Sequence, residues 1–479
     1  MRSAWITMLL GVCACAPAAD ANGGAGGAGG DAADCADRFD GSPLGVACGA
    51  LVDAEGRTVL LHGVNARVEG VFDDALPDGT LTIGAIPAFG ADDAAAMRAM
   101  GFDALRLPIH WSLLEPTETG GFDDGYLDAV ARVVDVCGAA GVLVVVDVHQ
   151  DGYTKFIGDD GAPLWATIPA PPPRDATDPN RDISTAAMDA FDTLLGSAPG
   201  SPALQARFAA MLSHVAARFA GDAAVVGFEV LNEPLAEQAD LDRFHRTMIA
   251  AAHGAAPKKL VFFEPSATRN VLDTGPLGSG SLGAGSVYAP HVYTRVFVGG
   301  DAGITKELLT NSNVSARQEA ESYDAPLAIT EYGFSPSDPL FADYIRWQEQ
   351  LQEEQLASSF FWVWKEESLG SWGFYDFDEA TGAATQRPAI VSEVARVRLE
   401  AAPGKLTAAA YDDASRTFEA RYDGSATITA DAIVSIGATA NFMMYDATCD
   451  GAPIAHDGAD PVHLACAGPG SHTLRLVAR

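Results

Sequence analysis

The sequence predicts a (β/α)8 barrel followed by a small antiparallel β-sandwich. From about residue 51 to residue 390, eight short β-branched apolar runs alternate with longer segments of helical periodicity. Several of those runs are continuous rather than alternating, the pattern of parallel strands buried on both faces. After about residue 400 the pattern changes to short alternating runs broken by Gly, Asp and Ala turns, as in a sandwich.

In chain order, residues 1–18 are expected to be an export signal. Arg2 precedes the short apolar stretch Ile6–Val12, which runs into Cys13-Ala14-Cys15-Ala16-Pro17-Ala18. Two readings stand. Either a signal peptidase cuts near Ala16-Pro17-Ala18, or Val12-Cys13-Ala14-Cys15, which resembles a bacterial lipobox, makes Cys15 or Cys13 a lipidated N-terminus. Both imply an exported protein, secreted or held at a bacterial cell surface. Residues 19–34 are rich in Gly and Ala and read as a flexible tether.

Residues 35–400 are assigned to the barrel. Its expected strands are Val59–Val64, Ala104–Leu107, Val142–Val148, Val225–Leu231, Leu260–Phe263, Val287–Ala289, Leu327–Glu331 and Phe360–Trp364. Helical patterns cover Ala91–Met100, Gly125–Ala140, Pro202–Phe219, Asp240–Gly254 and Ser337–Leu356. The Pro-rich stretch Pro169–Pro179 is too irregular for an ordinary connection and reads as a rim excursion or lid. Residues 401–479 form the sandwich, with strands expected at Thr417–Tyr422, Ala426–Thr429 and Thr473–Val477.

The chain has 479 residues, with 30 Lys and Arg against 64 Asp and Glu, a net charge of −34. Such a polyanion is repelled by nucleic acids and anionic membrane surfaces, so no nucleic-acid partner is expected. Beyond the N-terminus no apolar run approaches the roughly 20 residues that cross a bilayer. Membrane association is therefore expected only through a lipid anchor or a lipid substrate, and the protein is expected to be a monomer. Cysteines stand at 13, 15, 35, 48, 137, 449 and 466. The spacing predicts short-loop disulfides Cys35–Cys48 and Cys449–Cys466, with Cys137 a buried free thiol on a helix. No CxxC, HExxH or Cys/His cluster has metal-ligand spacing, and no Gly-rich loop follows a strand. No metal or cofactor is expected; catalysis rests on side chains.

A barrel of this kind places its chemistry at the C-terminal ends of its strands. The expected second strand carries Arg106, the third ends in Asp147-Val148-His149-Gln150-Asp151, and the fourth in Asn232-Glu233-Pro234. The sixth leads into His291-Val292-Tyr293, the seventh ends in Glu331-Tyr332-Gly333, and the eighth in Trp364. Each has an ordinary structural reading alone; together they assemble acid-base and sugar-handling groups.

These residues carry a resemblance. Gly227-Phe228-Glu229-Val230-Leu231-Asn232-Glu233-Pro234, with Ile329-Thr330-Glu331-Tyr332-Gly333, resembles glycoside hydrolase family five, over about residues 51–390. Asp147–Asp151, Gly161-Ala162-Pro163-Leu164-Trp165, Tyr288–Tyr293 and the following sandwich are similar to the endoglycoceramidase branch, which cuts the β-glucosidic bond between an intact glycan and ceramide. The resemblance implies Glu233 as general acid/base and Glu331 as nucleophile of a retaining glycosidase. It implies Arg106 keeping Glu331 ionised, Tyr293 orienting it, and Asn232 holding the sugar 2-hydroxyl. His149 and His291 line the same subsite and Trp364 stacks under the sugar ring. Asp147 and Asp151 are open between glycan contact and support, as Lys365, Glu366 and Glu367 are between sugar contact and solvent. Rim residues Leu164–Ile168, Val296-Phe297-Val298 and Trp372–Tyr375 offer an apolar path for a lipid aglycone. The expected substrate is a glycosphingolipid or another β-linked glycan. Two alternatives remain at this stage: an endo-β-glucanase or mannanase acting on soluble polysaccharide, and a non-catalytic carbohydrate-binding protein on a hydrolase barrel.

Overall fold

The computed structural model describes residues 37–297, 303–367, 372–437, 442 and 444–479. The expected signal and tether, with Cys13, Cys15 and Cys35, lie outside the described residues, as does Val298.

Eight parallel strands build the barrel: β1 (His62–Asn65), β2 (Ala104–Ile109), β3 (Leu143–Val148), β4 (Val225–Glu229), β5 (Leu260–Phe263), β6 (Ser286–Tyr288), β7 (Ala328–Tyr332) and β8 (Ser358–Phe361). They pair in sequence order, with β8 beside β1. Bridges Tyr288–Leu327 and His291–Glu331 close the ring between β6 and β7. In β3 every residue after Leu143 is buried, which suits its run of valines, since branched side chains pack on both faces of a covered sheet. Position 63 of β1 admits only glycine: a Cβ there would stand 2.3 Å from the Phe360 ring and 2.8 Å from the Ala104 carbonyl oxygen.

The helices cover this ring. Asp124–Ala139 starts where the Asp123 carboxylate accepts from the Gly125 and Tyr126 amides, and it buries Val130, Val134 and Cys137 at helical spacing. Cys137 is free and buried, and burial pushes its thiol up to about 12. Two long helices lie outside the expected set, Thr185–Leu195 and Lys306–Ser322, each opened by a side-chain cap, Ser184 and Thr305. The Pro-rich excursion is fastened down rather than free. Arg174 within it and Arg181 just after it reach Asp159, at 3.1 and 2.6 Å. No helix among the described residues is long and apolar enough to cross a membrane.

The sandwich differs from the expectation in its membership. One sheet takes Gly45–Ala47, Ala50–Val52 and Thr58–Val59 from before the barrel and joins them to Arg398–Ala402, Ala432–Ser435 and Val462–Leu464. The other contains Gly404–Asp412, Thr417–Gly424, Gly470–Ala478, Tyr445–Cys449 and Ala452–Pro453. Val59 pairs with Ala401 and Thr58 with Ala402, so the boundary drawn at residue 400 falls inside a strand. The expected strand Val59–Val64 is thereby divided. Leu60 packs in the sandwich core and Leu61 in the barrel floor, and the chain changes sheets between them. Ala426–Thr429 is a turn, closed by the Thr427 amide on the Ser425 hydroxyl, at 3.1 Å.

Leu399, Phe418, Tyr422, Val434, Leu474 and Leu476 fill the sandwich core. Each such side chain contributes about 1.5–3 kcal/mol on burial. The Cys449–Cys466 disulfide forms as expected and ties the two sheets. Cys48 is also disulfide-bonded, and its expected partner lies outside the described residues. The sandwich meets the barrel through a buried ion pair. Arg398 donates to both oxygens of Glu349 at 2.6 and 3.0 Å, and Tyr332 of β7 donates to Glu349 Oε1 at 2.7 Å.

Candidate active site

Arg106 organises the C-terminal mouth of the barrel. It rises from β2 and is fully buried. Its Nε lies 2.8 Å from Glu229 Oε2, its Nη1 2.6 Å from Glu331 Oε1 and 3.0 Å from Asn65 Oδ1, and its Nη2 2.8 Å from Asn232 Oδ1. Asp147 Oδ2 stands 3.1 Å from the same Nη2. A buried charge survives only when paired in this way. Burial alone would weaken the guanidinium's hold on its proton, but the charges of Asp147, Glu229 and Glu331 raise it well above the ordinary value.

Glu331 stands near the end of β7, with Oε1 on Arg106 and Oε2 accepting from the Tyr293 hydroxyl at 2.7 Å. Glu233 lies just beyond β4. Its backbone is left-handed, φ 43°, and its amide donates to Glu264 Oε2 at 3.1 Å. Its Oε1 accepts from His291 Nδ1 at 2.8 Å and from Asn270 Nδ2 at 2.5 Å. The Glu233 side chain is 24% exposed, whereas that of Glu331 is 6% exposed, so Glu233 faces the open mouth. One oxygen of each carboxylate and a nitrogen of His291 lie within 4.8 Å of one another.

The protonation balance runs against the expected order. Burial pushes Glu331 up, and although His291 and Arg106 both pull it down, it stays above the usual carboxylate range. For Glu233 burial also pushes up, but the His291 hydrogen bond and charge outweigh it, and the group lies below the usual range. His291 carries the reason. Burial pushes it down, yet Glu264, Glu331 and Glu233 raise it well above the usual imidazole range. Its charge sits 2.8 Å from Glu233 but 3.6 Å from Glu331.

The other expected residues divide. His149 donates from Nδ1 to Asp147 Oδ2 at 2.6 Å, and its ring stacks on Trp362 at 5.7 Å between centroids and 10° between planes. Asp147 is fully buried and supports Arg106 and His149; Asp151, with 39% of its side chain exposed, stands at the mouth 3.7 Å from His149 Nε2. Asn232 is held on both sides, its oxygen by Arg106 and its Nδ2 by the Gln150 carbonyl at 3.0 Å. Lys365 pairs with Asp93 at 2.5 Å, and Glu366 pairs with Arg67 while accepting the Trp372 amide at 2.8 Å.

Trp364 requires a correction. It is 1% exposed, its indole donates to Asp93 Oδ1 at 2.9 Å, and it packs on Phe374 and Tyr375. A ring so enclosed cannot lie under a sugar. β8 ends at Phe361, earlier than expected, and Trp362 is the indole at the mouth, with the Arg67 guanidinium 5.5 Å from its ring centroid.

Sequence reasoning missed Asn65, Arg67, Glu229, Glu264, Asn270 and Trp362. Glu229 and Glu264 had a signal, since each is a lone acid within or just after an apolar strand and therefore demands a buried partner. At the barrel mouth, three clusters among the described residues gather ligand atoms close enough to hold a cation: His149, Asp151 and Asp160; Glu229, Glu264 and His291; Glu233, His291 and Glu331. The protein supplies its own positive charge to these carboxylates. Arg67 faces Asp151 and Asp160, and Arg106 faces Glu229, Glu264 and Glu331.

The model of the cellulase family, glycosyl hydrolase family 5, matches residues 53–368. The chain belongs to glycosyl hydrolase family 5. Endoglycoceramidase I of Rhodococcus hoagii is 33% identical to this family 5 glycosidase over 239 residues, 46% of this chain and 45% of that protein. The chain thus matches less than half the length of that relative. A glucosylceramidase of Rhizopus delemar is 27% identical over 130 residues, 24% of this chain and 19% of that protein. Among solved structures, endo-glycoceramidase II from Rhodococcus sp. in its ganglioside GM3 complex superposes with a TM-score of 0.74 at 23% identity, covering 90% of this chain and 99% of that one. Sterylglucosidase 1 of Cryptococcus neoformans shares the fold with a TM-score of 0.70 at 13% identity, covering 92% of this chain and 99% of that one.

Proposed function

We propose that this family 5 glycosidase hydrolyses the β-glycosidic bond between an oligosaccharide and a lipid, ceramide foremost, with retention of configuration. The carrying observation is the close approach of Glu233 and Glu331, one oxygen of each lying within 4.8 Å of the other. Direct attack by a carboxylate needs carboxyl groups about 5–5.5 Å apart, whereas inversion through a water needs about 6.5–9.5 Å.

In this reading Glu331 attacks the anomeric carbon while Glu233 gives a proton to the departing oxygen. Water then breaks the glycosyl–Glu331 bond as Glu233 takes back a proton. Arg106 and Tyr293 occupy both oxygens of Glu331 and hold it for attack. Asn232 keeps one N–H of its amide for the sugar 2-hydroxyl, and Trp362 with His149 walls the same subsite. Export is part of the reading, supported by the Arg2–Val12 stretch and the disulfides.

An apolar path supports the lipid aglycone. Tyr293, which touches Glu331, packs on Phe297 at 5.0 Å and on Trp372 at 5.7 Å, and Phe297 stacks on Trp372 at 5.9 Å. Phe297 is 62% exposed. Leu164, Ile168 and Ile183 on the connection after β3, and Val271 and Leu272 after β5, are also exposed. Burying lipid methylenes on such a surface stabilises binding by about 0.8 kcal/mol each.

The test is release of intact oligosaccharide from a ceramide glycoside in detergent, measured beside cleavage of soluble cello-oligosaccharides. Release from the glycolipid is expected to dominate. Phe297→Asp or Trp372→Asp is expected to lower glycolipid turnover about tenfold more than turnover of a soluble aryl glycoside, the effect of losing roughly two methylenes of burial. Rapid cello-oligosaccharide cleavage without action on the glycolipid would leave a polysaccharide β-glycanase instead.

A further inference from the structure

The acid/base carboxyl is held by two side chains, and only one of them, His291, belongs to the expected site. The second donor, Asn270, comes from the short helix Arg269–Leu272 that follows β5. Asn270 is buried, and its Nδ2 donates to Glu233 Oε1, the same oxygen that accepts from His291 Nδ1.

The two donors are tied to each other. Arg269, buried beside Asn270, donates from Nη1 to the His291 carbonyl at 3.1 Å and from Nε to Glu319 Oε2 at 2.7 Å. Its Nη2 reaches the Ser312 carbonyl at 2.9 Å. The helix that carries Asn270 is therefore locked to the segment that carries His291. Glu233 is fixed from behind as well, by Gln150 Nε2 on its carbonyl at 3.1 Å.

Resting on the reading of Glu233 as acid/base, we infer that Asn270 is a positioning residue: with His291 it saturates Oε1, fixes the carboxyl's rotation, and leaves Oε2 as the atom that gives and takes the proton. An acceptor oxygen with two N–H donors has no lone pair well placed for a proton, whereas Oε2 has no protein donor among the described residues and belongs to a side chain that reaches the mouth. Proton transfer at Oε2 leaves both contacts to Oε1 intact, so the carboxyl keeps its orientation through both chemical steps. Because Asn270 donates to the carboxylate, it also favours the ionised form.

The experiment compares Asn270→Ala, Asn270→Ser and wild type on two β-glucosides, one with an alkyl leaving group and one with a dinitrophenyl leaving group, across pH. Asn270→Ala is expected to lower kcat/KM about tenfold on the alkyl glycoside, the scale of one hydrogen bond to a charged group, and less than about threefold on the dinitrophenyl glycoside, which needs no proton. The alkaline limb of kcat/KM is expected to move up by about half a pH unit or more, since the lost donor stabilised the ionised acid. Asn270→Ser, which keeps a donor, is expected to restore part of both effects. Equal losses on the two substrates with the limb unmoved would overturn the inference. Glu233→Ala run in parallel separates the two ideas: full activity of that variant on the alkyl glycoside would overturn the role of Glu233 itself.

Discussion

At the scale of single residues, the site is a cage in which two buried cationic side chains, Arg106 and His291, are shared among several carboxylates. In the proposed mechanism Glu331→Gly removes the attacking group, and it is expected to lower turnover by a factor on the order of 10⁶, the scale of losing a catalytic nucleophile. The same variant is expected to build glycosidic bonds from a glycosyl fluoride of inverted configuration, detected as new oligosaccharide. His291→Gln keeps a donor but deletes the imidazolium beside Glu233. That cation holds Glu233 below its usual range, so its loss raises the acid's pKa. The alkaline limb of kcat/KM then moves to higher pH, and a limb that moves down would refute the charge assignment. Arg106, Glu233, His291, Tyr293 and Glu331 were legible because polar residues at the ends of apolar strands are conspicuous. Asn270 and Arg67 were not, because Asn270 sits in a single helical turn and Arg67 in an irregular connection, both too short for periodicity to say which way a side chain turns.

At the scale of elements, β8 shows where sequence patterning fails. The run Phe360-Phe361-Trp362-Val363-Trp364 is continuous apolar chain, with no alternation to mark where the strand stops. The strand ends at Phe361, although the Trp362 and Trp364 amides still reach the Tyr332 and Asn65 carbonyls at 2.8 Å each; Trp362 then stands at the mouth and Trp364 in the wall. Trp362→Ala is expected to lower kcat/KM about tenfold, equivalent to about 1.4 kcal/mol of lost transition-state stabilisation, with thermal stability little changed. Trp364→Phe is expected to do the reverse. It deletes the indole N–H held by Asp93 and costs about 1–2 kcal/mol of stability, read from the unfolding midpoint, while kcat/KM stays near wild type. Long helices with strong periodicity were read to within a few residues. Lys306–Ser322 escaped because its many polar residues dilute the apolar stripe; Thr185–Leu195 has a clear stripe, Ala187, Ala190, Phe191, Leu194 and Leu195, but is short, and the Ser and Thr caps of both stood in plain view.

At the scale of the whole molecule, the barrel and sandwich share a seam of buried ionisable groups. Asp103 enters β2 there, accepting the His62 amide at 2.7 Å. Burial, reinforced by the Glu400 charge, pushes it up to about 8. A carboxyl raised in this way binds its proton in the folded state and releases it on unfolding, so its stabilising contribution is full below about pH 4 and is lost as pH rises through about 8. Asp103→Asn keeps the acceptor and removes the titration. Between pH 5 and pH 8 the variant is expected to gain about 3–4 kcal/mol on wild type in urea unfolding. An unchanged difference between the two pH values would show that Asp103 is not the group responsible. The seam also has a consequence in time. Thr58 and Val59 emerge from the ribosome early, yet the strand they pair with, Arg398–Ala402, follows only after the entire barrel. Until it arrives, the N-terminal hairpin offers an open strand edge, the kind of surface on which chains stick to one another. A protein stopped at Val397 would keep every barrel strand and still be expected to aggregate, because its opening strands would be left waiting for a partner that is never made.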